Sequence, residues 1–179
     1  MVTIRSENAG DVAAREALLD RAYGPVRFEK PSQRLRAGRA PALAFVALDK
    51  GEVVGTVRLW PVLAGTGRPA LLLGPLAVHP GRRHRGIGAA LMWRALRTAR
   101  EAGHAAVLLV GDASYYARFG FTADKTGDLT MPGAYEPARL LGVELTTGAL
   151  EGAYGAIRAA TRRRPAARAA ATVAVAQAA

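Results

Sequence analysis

The stretch Leu71–Ala90, LLLGPLAVHPGRRHRGIGAA, limits the possible folds more than any other part of the chain, because an apolar strand runs through a basic loop into glycines that open a helix. A helix N-terminus carries unpaired backbone N–H groups and the positive end of the macrodipole, and both favour an anion. Gly86 and Gly88 let the backbone approach such an anion without a Cβ clash. Arg82, Arg83 and Arg85 flank the same helix start and could neutralise a phosphate or pyrophosphate through bidentate hydrogen bonds. The plainer alternative is a tight glycine loop with solvated arginines. Within the strand, Gly74-Pro75 falls where a central ladder would lose a hydrogen bond, so a bulge or a splayed strand pair is expected there.

Two nucleotide-binding patterns can be tested against this stretch. No G-x-x-x-x-G-K-[ST] occurs in the chain, and GIGAAL lacks the third small turn position and the later acidic residue of a dinucleotide fingerprint. The absence of cysteine rules out disulfides, thiolate metal sites and a cysteine nucleophile. At 179 residues, half of them hydrophobic, the chain suits one domain with a real core. Its 25 Lys and Arg against 14 Asp and Glu leave a net charge of +11, which would suit nucleic acid, a membrane surface or a phosphorylated small molecule. Part of that excess is local: beyond Glu151 no acid follows, yet Arg158, Arg162, Arg163, Arg164 and Arg168 do. The polar start Met1–Gly10 lacks the apolar core of a signal peptide, and no apolar run reaches the roughly 18 to 20 residues of a membrane span. A cytoplasmic protein without membrane contact is expected.

Along the chain, Val2–Ile4 reads as a first strand, and Asp11 is placed to cap a helix that runs to Tyr23 and stops at Gly24-Pro25. Leu43–Leu48 and Val53–Val62 flank an Asp49–Glu52 turn and form an antiparallel hairpin, and a Gly65–Pro69 loop leads to the strand Leu71–His79. Gly86–Ala102 has helical spacing in Ile87, Leu91, Ala95 and Ala99, with Gly103 set to close it. Ala105–Val110 follows as a buried strand, and Asp112 caps a short helix over Ser114–Phe119 that Gly120 ends. Phe121 starts another strand, and Val143–Thr147 supplies the last. From Gly152 the Ala/Arg-rich composition, broken by Pro165, predicts a helical or partly disordered extension over 151–179 appended to a catalytic domain over 1–150.

The residues Arg83, Gly86 and Gly88 meet the Q/R-x-x-G-x-G/A pyrophosphate signature, and in this respect the chain resembles the GNAT family of N-acetyltransferases. The order LAVHP, RRHRGIG, AAL looks like that family's fourth strand, phosphate loop and third helix, and YARFGF at Tyr116–Phe121 is similar to its later Y-x-x-x-G-F element. The two motifs together are specific where either alone is weak. GDASYYARFGF also looks like a branch of small, single-domain bacterial members.

The resemblance implies an α/β fold with a mixed, mostly antiparallel twisted sheet, flanked by helices, whose fourth and fifth strands splay to admit the pantetheine of acetyl-CoA. Carried onto this chain, backbone groups of Leu76, Ala77 and Val78 would bind pantetheine and polarise the thioester, and Arg83, His84, Arg85, Gly86, Ile87, Gly88 and Ala89 would hold the pyrophosphate. Acetyl transfer would then proceed by direct attack of an amine within a ternary complex, without a covalent enzyme intermediate. Tyr116 is the candidate acid: a phenol with a reference pKa of about 10 can protonate a leaving thiolate. A purely packing aromatic, or neighbouring Tyr115 in its place, is the alternative.

No acid stands in Leu71–Val78, where some members of that family carry a base, and Asp112, Glu136 and Glu144 have no pattern that selects one of them. A water relay is therefore expected. His79, His84 and His104 lack metal-cluster spacing and no metal is expected; they fall at a strand end, in the phosphate loop and at a helix C-terminus. The acceptor, a small molecule or a protein amine, is not readable, and a homodimer is what the resemblance suggests. Two other functions compete: a basic nucleic-acid-binding protein, for which the sequence offers charge but few aromatics and no recognition helix, and an acetyl-CoA-binding module without catalysis.

Overall fold

A computed structural model describes residues 1–160 of the chain. The N-terminal strand β1 (Val2–Ser6) leads to helix α1 (Val12–Tyr23), a six-residue helix α2 (Pro31–Arg36), and then the strands β2 (Leu43–Asp49), β3 (Glu52–Ala64) and β4 (Arg68–Val78). Helix α3 (Ile87–Glu101), strand β5 (Ala106–Val110), the single turn α4 (Ala113–Tyr116), β6 (Leu129–Thr130), β7 (Leu140–Glu144), β8 (Gly155–Ala156) and β9 (Arg158–Ala159) follow. The main sheet has the order β1-β2-β3-β4-β5-β7, with β9 added on β3. Every neighbouring pair in it is antiparallel except β4 and β5, which run parallel.

Alternation along the strands divides the interior. Leu71, Leu73, Val107 and Leu109 turn to one face and pack with Ile87, Leu91, Met92, Ala95 and Ala99, the apolar stripe of α3. Leu72, Ala106 and Leu108 turn to the other, where Leu35 of α2, Trp60, Leu140, Leu150 and Ile157 close the second core. Leu18 and Leu19 seat α1 against Ala77 on the face opposite α3.

Several boundaries depart from those expected. Asp11 does not cap α1 with its side chain. Instead Asn8 and Asp11 form a capping box around a preceding 3-10 turn, and Asp11 is held by a two-pronged ion pair from Arg5 at 2.6 and 2.8 Å. The expected Gly65–Pro69 loop shrinks to a tight turn, because β3 continues to Ala64 and β4 begins at Arg68. Phe121 starts no strand; its segment contributes one bridge, Thr122 to Gly142, before a 3-10 turn. The last long strand is Leu140–Glu144 rather than Val143–Thr147, since the buried run Leu140-Leu141-Gly142 pairs with β5 across a glycine that reads as a breaker.

The packed body also continues past residue 150. Ala153 and Ile157 are buried, β8 pairs with β6, and β9 pairs with β3 at Val62 and Leu63. The close approach is built in at Gly65, where a Cβ would collide with the Tyr154 backbone. Ile157→Ala, which empties a fully buried site, is expected to cost about 3 kcal/mol in a denaturant melt, whereas an appended tail would show no change. The rest of the extension expected over 151–179, residues 161–179 with Arg162, Arg163, Arg164 and Arg168, lies outside the described residues.

Candidate active site

The anion site expected at the start of α3 has the backbone geometry for it. The first intrahelical bond is from Ala90 N–H to the Gly86 carbonyl, so the N–H groups of Ile87, Gly88 and Ala89 find no partner within the helix. Gly86 caps the helix in the left-handed region at φ 75°, and His84 before it also has a positive φ, of 62°. This double reversal folds the loop over the helix end. A Cβ on Gly88 would lie 3.2 Å from the Tyr115 hydroxyl and 3.6 Å from Val78, so the backbone there lines a narrow space. Of the three loop arginines, Arg82 is engaged elsewhere, in an ion pair with Asp49 at 3.0 Å. Arg83 is near enough to Tyr23 to act on its phenol, and Arg85 has no ion pair among the described residues.

Between this loop and the sheet centre, β4 leaves β5. The two strands pair only at Leu71–Val107 and Leu72–Leu108, after which they diverge, and the ladder between β3 and β4 shifts register across Gly74-Pro75. The proline supplies no N–H where the ladder is interrupted, which is the irregularity the sequence predicts. Since His79 N–H donates to the Val54 carbonyl, alternation turns the backbone groups of Ala77 toward β3 and those of Leu76 and Val78 toward the gap. Of the three residues named for pantetheine, Leu76 and Val78 thus offer main-chain groups to that space and Ala77 does not. The Leu76 carbonyl is taken by the Tyr23 hydroxyl.

The wide end of the gap opens into a cleft of about 110 Å³. Its walls are β4 from Leu72 to Leu76, Leu109 and Val110 at the end of β5, Tyr23, and α2 with its approach, including Lys30, Ser32, Gln33 and Arg36. Tyr116 closes it. Asp112 caps α4 by accepting from Ser114 N–H at 2.9 Å, Gly120 ends the turn at φ 85°, and Gly111 has no Cβ to collide with the Tyr116 ring. These three small positions place the phenol. Tyr115, edge-to-face with it at 4.9 Å, faces Gly88 instead, so the two tyrosines serve opposite ends of the gap. Burial pushes the Tyr116 phenol well above its ordinary pKa, with Tyr23 and Tyr115 adding to the effect, and keeps it protonated at neutral pH.

Among the described residues no carboxylate or imidazole lines the cleft. Asp112 is spent as a cap, Glu144 accepts from Lys125 and from the Gly148 and Leu150 N–H groups, and Glu136 is exposed. The sequence marks neither Tyr23 nor Arg36 as a site residue. A tyrosine at the end of one helix and an arginine at the end of another carry no pattern, and both reach the site only through the tertiary fold.

Comparison with known proteins is consistent with this geometry. Residues 13–121 match the family model for the acetyltransferase (GNAT) family. The chain belongs to the GNAT family. It is 34% identical over 128 residues to the uncharacterised N-acetyltransferase YhbS of Escherichia coli K12, which covers 70% of this chain and 77% of that protein. The crystal structure of E. coli YhbS in complex with CoA superposes with a TM-score of 0.77 at 30% identity, covering 89% of both chains. A GNAT acetyltransferase from Brucella melitensis in complex with acetyl-CoA gives 0.63 at 31% identity, covering 80% of this chain and 88% of the other. Like these GNAT proteins, this chain is an acetyltransferase with a mixed, mostly antiparallel sheet. No helix among the described residues is long and apolar enough to cross a membrane, and no group of three His, Asp or Glu side chains there could hold a metal ion.

Proposed function

We propose that this protein transfers the acetyl group of acetyl-CoA to an amine by direct attack, with Tyr116 as the general acid. The observation that carries the reading is the order of three features along β4: a helix N-terminus whose first N–H groups have no partner within the helix beyond one end, the gap where β4 leaves β5 in the middle, and the buried Tyr116 phenol in the cleft at the other end. The free N–H groups of Ile87, Gly88 and Ala89, with Arg83 and Arg85 beside them, bind the pyrophosphate. Leu76 and Val78 hydrogen-bond the pantetheine as a neighbouring strand would. The thioester then lies near the Gly74-Pro75 irregularity, in reach of Tyr116.

The thioester supplies the acetyl group: a neutral amine nitrogen bonds to its carbonyl carbon, and the carbon–sulfur bond breaks to release CoA thiolate. Backbone N–H groups of β4 that face the gap stabilise the negative charge on the carbonyl oxygen during attack. Tyr116 donates its phenolic proton to the departing sulfur and regains one from solvent. The proton lost by the amine leaves through water.

Acetyl-CoA at a hundredfold excess over Kd is expected to stabilise the fold by about 2.7 kcal/mol, a rise of roughly 5–10 °C in Tm for a chain of this size. Thermal shift checks it. An unchanged Tm with acetyl-CoA, alongside a rise with duplex DNA, would replace this reading with nucleic-acid binding.

A further inference from the structure

The cleft holds a charge that acetyl transfer itself does not use. Two arginines of the described chain are buried. Arg15, 5% exposed, is bracketed by Glu7 and Glu16. Among the described residues Arg36, 8% exposed, has no carboxylate within ion-pair distance, and its Nε has no hydrogen-bond partner. Its guanidinium lies against β4, with one terminal nitrogen 3.7 Å from where a Cβ on Gly74 would stand, and both residues line the cleft. Burial pushes its pKa down to about 10, which leaves it charged at neutral pH.

A buried, unpaired guanidinium is costly unless an anion completes it. The cosubstrate's phosphates are at the wrong end to do so, since Gly74 precedes Val78 by four strand residues, roughly 13 Å, on the side away from the phosphate loop. The anion must come with the acceptor. Lys30, stacked 4.4 Å over the Tyr23 ring, also lines the cleft, as does Arg27, whose charge is met by Glu16 and Asp20 outside it, and no acid among the described residues lines it. That field repels a plain ammonium or a polyamine. An amine that carries a carboxylate is a different case, because the carboxylate pairs with Arg36 while the surrounding cations lower the pKa of the attached ammonium. The neutral nucleophile then forms without a carboxylate base, which is the group missing from the cleft.

Resting on the acetyltransferase reading above, we propose that the acceptor is a small amine bearing a free carboxylate, of the amino-acid class, and that Arg36 binds that carboxylate. The small cleft volume suits an acceptor of that size.

The test uses acetyl-CoA-dependent thiol release on matched sets: free L-amino acids, their α-amides, their decarboxylated amines, and an N-terminal glutamate peptide with an amidated C-terminus. The expected result is a kcat/KM for the best free acid about 10²-fold above its own amide, the selectivity of a desolvated charge pair. In Arg36→Gln that ratio should fall to within about fivefold of one through a higher KM for the acid, and Arg36→Lys should give an intermediate ratio. Removing an unpaired buried charge should leave the ligand-free Tm of Arg36→Gln unchanged or raised. Equal use of acid and amide, transfer confined to amines without a carboxylate, transfer to no member of the panel, or peptide turnover matching the free acid overturns the carboxylate assignment. Failure of wild-type protein to bind acetyl-CoA in calorimetry overturns the acetyltransferase reading instead.

Discussion

Tyr116→Phe is expected to lower kcat by about 10²- to 10⁴-fold while leaving the acetyl-CoA affinity close to that of the wild type. The variant loses one hydroxyl and keeps the ring that packs against Phe121 and fits beside Gly111. Its fold should therefore survive, and the whole effect should fall on protonation of the leaving thiolate. Because burial keeps the phenol protonated well above neutrality, the wild-type rate should show no loss of this acid between pH 6 and about 9. Tyr115→Phe is the informative comparison. Its hydroxyl faces Gly88, so its loss should appear in KM for acetyl-CoA rather than in kcat. Steady-state kinetics on an acceptor found by thiol release decide between the two. Full kcat in Tyr116→Phe with a loss in Tyr115→Phe would transfer the role to Tyr115, and full kcat in both would leave protonation to solvent.

What could be read from the sequence was what is local in the chain. The phosphate loop is contiguous: a glycine that must take a positive φ at 86, a second that must leave space at 88, and a helical stripe after them are all visible within twenty residues. The same is true of Gly74-Pro75, whose effect on the ladder follows from proline's missing N–H, and of Asp112 as a cap. What could not be read depends on contacts far apart in sequence. The Tyr23 hydroxyl meets the Leu76 carbonyl 53 residues later, and Arg58 meets Glu7 at a separation of 51. Strand β9 pairs with β3 across more than half of the chain, and its two residues carry no alternation that would mark them as a strand. Arg36 sits in a short helix among four arginines between residues 27 and 39, and composition gives no reason to single it out.

The net charge of +11 also reads differently once the partners are known. Arg5 pairs with Asp11, Arg15 and Arg58 with Glu7, Arg27 with Glu16 and Asp20, and Arg82 with Asp49. These arginines tie α1 and the hairpin to the rest of the fold, and because the acids they meet are already subtracted in the net charge, the excess of +11 falls on the cations that have no such partner. Among the described residues, the cations left without a carboxylate partner include Arg36 and Lys30 in the cleft and Arg83 and Arg85 at the phosphate loop, beyond the two ends of the β4–β5 gap.

Gly88→Asp tests the loop end of that gap and is expected to weaken acetyl-CoA binding by about 10³-fold. A Cβ at this position has to share a space bounded by the Tyr115 hydroxyl at 3.2 Å and Val78 at 3.6 Å, so the new side chain is forced outward into the volume that the free N–H groups face. Its carboxylate there would oppose the pyrophosphate. At a separation of about 4 Å and an effective dielectric near 20, a pair of like charges costs about 4 kcal/mol, which corresponds to the fold-change stated. The variant should still fold, because Gly88 has a negative φ in the first turn of α3, where an acid is favoured by the helix dipole. Calorimetry separates the two effects: the apo Tm should hold or rise slightly while acetyl-CoA affinity collapses. An unaltered affinity in a folded Gly88→Asp protein would show that the pyrophosphate is anchored elsewhere, and the assignment of Arg83 to Ala89 as its site would fall with it.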